Sequence, residues 1–182
     1  MWRLARWTCS LRRLLVLNAA LTGVALCLGG LTRGDADPGW WPVTSTVVAS
    51  CRAPAHAARI LTGNLALLGT LAAGAATLGG TTLAVLLVNA FMLGAGSRTL
   101  LQARPGAAPL LLSYAPLELT AFVLAAAVTQ HVAAGVLRGL ATGELPRLRA
   151  DAAAVALALL LLLAGAVIEA TVTCQVARLA GA

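Results

Sequence analysis

Five apolar runs dominate this chain, at about 14–31, 60–78, 81–100, 110–137 and 152–172. Each is close to the ~20 residues that carry a helix across the hydrocarbon core of a bilayer. Backbone in hydrocarbon must satisfy its own N–H and C=O groups, so runs of this length fold as helices. Composition excludes a water-soluble domain. The chain is 60% hydrophobic and 10% charged, with mean hydropathy +0.90, where soluble domains carry about 25% charged residues. The expected fold is all-α, a polytopic transmembrane helical bundle of about five spans that forms one integral membrane domain over residues 1–182.

All 13 basic residues are arginines, and the net charge is +7. They fall mostly between the apolar runs, where positive charge orients helices toward the cytoplasm. Arg3, Arg6, Arg12 and Arg13 precede the first run, and Arg138, Arg147 and Arg149 separate the last two. Five spans with the N-terminus cytoplasmic and the C-terminus outside place both clusters on the cytoplasmic face of the membrane. Arg33, Arg52, Arg59, Arg98 and Arg104 then fall on the outer side, so the bias is incomplete. Aromatic residues make up only 4% of the chain, too few to build a stacking platform for bases, and no nucleic-acid role is expected.

Within residues 1–13, Leu4, Trp7 and Leu11 recur at helical spacing beside a stripe of Arg3, Arg6, Ser10 and Arg13. That pattern suits an amphipathic helix lying on membrane lipids; a disordered basic tail is the alternative. No small-residue cleavage site follows before LTRGDADPGWW, which argues against a secretory signal. Gly79-Gly80 separates the second and third runs so narrowly that both a hairpin and a re-entrant bend stay open. Gly69, Ala73 and Ala76, and Gly94 and Gly96, are small enough to permit close helix contact.

Six acidic residues are present. Asp35, Asp37, Glu144 and Asp151 sit where water reaches them, while Glu118 and Glu169 lie inside apolar runs. A carboxylate in hydrocarbon is costly and normally faces a protein interior or an aqueous cavity. With this topology Glu118, Glu169 and Asn64 each fall about one turn from the outer end of their span. They are expected at one level, as a polar cluster or the floor of an outward-facing cavity. Two carboxylates sharing a site favour a shared proton. A purely structural cluster that fixes helix register is the competing reading.

Asn18, Asn89 and Gln130 are expected to make interhelical hydrogen bonds, each worth about 1 kcal/mol or less. His131 lies roughly 20 Å along its helix from Glu118, too far to pair with it. Cys51 and Cys174 both reach the outer side, so a disulfide between them is topologically allowed; four unrelated thiols (Cys9 and Cys27 being the others) are the alternative. No HExxH, GxSxG or GxxxxGK[ST] pattern occurs. No catalytic residue, cofactor or metal site is expected, and any energy source is an ion gradient or another subunit.

Three short elements resemble the stage II sporulation protein M family of bacterial membrane proteins. An Asn opens a span that leads through glycines to a second Asn and Gly, here Asn64, Gly79, Gly80, Asn89 and Gly94. A later span begins Tyr114-Ala115-Pro116-Leu117-Glu118, where the family has a Pro-His-Gly-x-x-Glu-like element. The last span ends Ile168-Glu169-Ala170. Tyr114 and Ala115 replace the family's His and Gly, so only the two glutamates carry over. The resemblance covers about residues 60–173. It implies a non-enzymatic membrane subunit in complex assembly or export, with a membrane or cytoplasmic protein partner such as an ABC-type ATPase. Sporulation members look like parts of a cell-wall remodelling complex, and others accompany circular bacteriocin systems. A transporter or permease-like subunit moving protons or a peptide is the alternative. Oligomerisation is left open.

Overall fold

The computed structural model describes residues 2–32, 53–103, 105–106, 108–143 and 149–180. Those residues form helices and turns, with no strand among them. The helices are α1 (Trp2–Leu31), α2 (Ala53–Ala73), α3 (Gly80–Ala103), the short α4 (Ala108–Leu111), α5 (Ala115–Thr142) and α6 (Arg149–Ala180). Five segments are long and apolar enough to cross a membrane: Leu11–Leu31, Pro54–Thr77, Gly80–Gln102, Ala108–Leu140 and Asp151–Gln175. The protein is a multi-pass membrane protein.

Hydropathy alone blurs several boundaries. The basic segment from Trp2 to Arg13 and the first span are one continuous helix, α1. The fourth apolar run is broken by a turn at Leu112–Tyr114 that separates α4 from α5. Pro116 stands in the first turn of α5, where a missing N–H costs nothing, and it disfavours helical geometry in the residue before it. At the other end Gly143 takes a left-handed conformation (φ 72°), and its N–H bonds the Gly139 carbonyl at 2.7 Å. This is a glycine C-cap.

The α2–α3 connection is a hairpin between two full spans. A 3₁₀ turn at Gly74–Thr77 tightens the end of α2, and Leu78 (φ 56°) and Gly79 (φ 88°) then reverse the chain in left-handed geometry. The Gly79 N–H bonds the Gly74 carbonyl at 2.9 Å, and the Thr82 hydroxyl donates to the Leu71 carbonyl at 2.8 Å across the turn. Gly74 is needed here, because a β-carbon would run into the backbone of Thr82.

α5 is the central element, packing on α1, α2, α3 and α6. The main core joins Leu71 of α2, Leu86 of α3, Ala121, Phe122, Ala125 and Ala126 of α5, and Ala158 and Leu162 of α6. α1 packs chiefly on α3. A β-carbon on Gly29 would collide with the Phe91 carbonyl, and one on Gly94 with the Leu26 carbonyl. Backbone therefore meets backbone, as small residues allow in membranes. Gly69 instead faces open space, with Ala73 and Ala76 exposed, so the close contact expected of them is absent within the chain. Val16, Leu28, Leu160, Leu163 and Val167 are also exposed; on a water-soluble protein such a surface invites aggregation, and in a bilayer it faces lipid.

Candidate functional site

Tyr114, the N-cap of α5, lies four residues before Glu118, and Gly165 and Glu169 lie four apart on α6. Four residues is about one helical turn, so each pair shares a face. The two helices pack against each other, and Glu118 fits against Gly165, where an added β-carbon would stand 3.0 Å from its Cγ. The Tyr114 phenol, buried at 6% exposure, lies within hydrogen-bonding reach of the Glu169 carboxylate and within electrostatic reach of Glu118. From α2, the Asn64 Nδ2 donates to Glu118 Oε1 at 2.5 Å. Asn64, Glu118 and Glu169 are half-buried.

The site thus joins three spans through two acids and two neutral donors. Among the described residues no basic side chain pairs with either acid. Such an arrangement can hold and release a proton, because a proton on one carboxyl removes both the mutual repulsion and part of the cost of burial. It offers no nucleophile activated by a neighbouring base. Among the described residues no group of three His, Cys, Asp or Glu side chains is placed to hold a metal. Tyr114 is the member that sequence reasoning missed. The available signal was its spacing, one turn before Glu118, together with the need of a buried phenol for a partner.

The other polar residues gather toward the opposite end of α5. Gln130 and Asn18 form a reciprocal amide pair between α5 and α1, at 2.9 and 3.3 Å. The absent side chain of Gly79 leaves room for Gln130, whose Cγ would lie 2.8 Å from an added β-carbon. His131 Nδ1 meets Asp151 Oδ1 at 2.9 Å. Asp151 corrects the sequence reading: placed there in water, it is 5% exposed in the first turn of α6. It is buried because His131, at 4% exposure, comes from α5 to meet it. Asn89 is half-buried on α3 and makes no side-chain hydrogen bond with another described residue. Cys174 is buried and disulfide-bonded, and Cys27 is an exposed free thiol. Cys51 lies outside the described residues.

A family model for stage II sporulation protein M matches residues 19–174. No curated protein and no solved structure matches the chain significantly. The matched stretch contains Asn64, Tyr114, Glu118 and Glu169, and it covers most of the 182 residues. The chain belongs to the stage II sporulation protein M family.

Proposed function

We propose that the chain is a non-enzymatic integral membrane subunit acting in complex assembly or export at the bacterial cell membrane, with its N-terminus cytoplasmic and its C-terminus outside. The observation that carries this reading is how the two intramembrane acids are engaged. Asn64 contacts Glu118 and Tyr114 contacts Glu169, each a neutral donor rather than a catalytic partner. The contacts tie α2, α5 and α6 into one body, the behaviour of a subunit whose shape is its product. Arginines at the cytoplasmic ends, including the exposed Arg12 and Arg13, supply a surface for a membrane or cytoplasmic protein partner such as an ABC-type ATPase.

A second reading has one observation in its favour. Glu118 and Glu169 are half-buried rather than sealed, so a proton or a peptide amine has a route to them. A permease-like subunit that moves protons or a peptide beside a partner ATPase, as in bacteriocin export or immunity, would place its acids this way.

Glu118→Gln and Glu169→Gln separate the two. Each variant is purified in mild detergent from its native host, its partners are identified, and flux of protons or peptide is measured in vesicles. Assembly predicts unchanged partner recovery and no flux that depends on either acid. Intact complexes with lost flux would move the assignment to transport. Recovery of the chain without any partner would remove the assembly reading.

A further inference from the structure

We propose that Asn18, Thr22 and Gln130 hold one buried water molecule between α1 and α5, inside the packed bundle.

Thr22 supplies the first observation. Its side chain is buried at 5% exposure, and its Oγ1 has no hydrogen-bond partner. A threonine inside a helix can donate to the carbonyl one turn back. Thr62, Thr70, Thr99, Thr120 and Thr171 all do so, at 2.7 to 3.1 Å. Thr22 makes no such bond to the Asn18 carbonyl. A buried hydroxyl without a partner is costly, and neither lipid nor an apolar side chain can accept its proton.

The second observation is the amide pair one turn away. Asn18 and Gln130 exchange two hydrogen bonds, at 2.9 and 3.3 Å. Each side-chain amide carries two N–H donors and two carbonyl lone pairs, so the exchange uses half of each. Asn18 is 1% exposed, and its remaining N–H finds no other partner among the described residues. Asn18 and Thr22 share a face of α1, with β-carbons about 5–6 Å apart. One bridging water spans that gap. The water accepts from the Thr22 hydroxyl and from the second hydrogen on Asn18 Nδ2, and it donates to the free lone pair of Gln130 Oε1. Buried waters make about three hydrogen bonds.

The walls leave room for it. α1 and α3 run in the same direction, with Arg98 reaching Gly30 and Gly94 set against Leu26. One turn earlier on both helices, Ala90 stands opposite Thr22. On α5, which runs the other way, Ala126 and Ala127 stand one turn before Gln130. All three alanines are 0% exposed. Converging polar groups beside such small side chains are what a buried water needs. The core around Leu86 and Phe122 stays closed, and the site is the same whichever role the acids play.

The test begins with the unmodified chain, carrying ¹³C-labelled threonine in deuterated lipid. Water-edited solid-state NMR should show magnetisation reaching Thr22 from water faster than it reaches Thr82, which is equally buried but bonded to the Leu71 carbonyl. Transfer to Thr22 no faster than to Thr82 overturns the proposal. Thr22→Val then gives a test of sign. Removing a hydroxyl that lacks any partner should raise the unfolding midpoint in detergent, whereas removing one that holds a water should lower it, by about 2–4 °C. A rise or no change overturns the proposal. In an Asn18→Leu/Gln130→Leu background the water has lost its other partners, so Thr22→Val should no longer lower the midpoint. An equal fall in that background overturns it as well.

Discussion

The two ends of α5 solve the same problem differently. Near its end His131 meets Asp151, an acid with a base, in a site sealed from every side. Near its start Glu118 and Glu169 meet, among the described residues, an amide and a phenol, and remain half-buried. In a buried acid–base pair each member needs the other where it stands. Among the described residues no basic side chain balances Glu118 or Glu169. The first arrangement pairs acid with base, and the second pairs acid with neutral donors.

The largest test of that contrast is His131→Ala. Removing one partner of a buried pair strands the other, at a cost of about 3–5 kcal/mol, read as a lowered unfolding midpoint in detergent. Glu118→Gln should cost far less than this, because the amide preserves volume and hydrogen-bonding capacity. Equal losses at the two ends would erase the distinction.

Gly94→Val comes next. The new side chain would strike the Leu26 carbonyl, and overpacking of this kind costs about 1–3 kcal/mol. The loss should appear as weakened α1–α3 cross-linking while the acid cluster stays intact. Tyr114→Phe is expected at or below that size. It removes one hydrogen bond to a carboxyl, worth about 1.5–3 kcal/mol at most if that carboxyl is ionised and about 1 kcal/mol if it is not. A double-mutant cycle with Glu169→Gln isolates the term, and a coupling near zero would take Tyr114 out of the site. The smallest effect is expected from Asn18→Leu with Gln130→Leu. Both partners leave together, so stability should change by about 1 kcal/mol or less.

Much of this arrangement was legible in the sequence. Span count followed from run length, and the common level of Asn64, Glu118 and Glu169 followed from counting turns inward from the span ends. What stayed hidden depends on which helices touch. Asp151 reads as a water-facing residue just ahead of an apolar run until α5 is known to bring His131 against it. Tyr114 stands before Pro116 in a stretch whose break into α4 and α5 hydropathy does not register. A small apolar cluster of Leu100, Ala108, Leu112 and Val172 joins three helices through residues of no distinctive type, so no local pattern announces it.

The reversal at Leu78 and Gly79 has a consequence for phase. A helix advances 100° per residue, so one residue inserted into that turn would spin α3 by over a quarter of a revolution relative to α2. Thr82 would swing away from the Leu71 carbonyl, and Gly94 would rotate out from under Leu26, exposing a bulkier neighbour to the α1 backbone. The turn is thus a fixed index mark for everything beyond it. A length change there should be felt along α3 where Phe91 and Gly94 meet α1, sooner than at the site of the insertion itself.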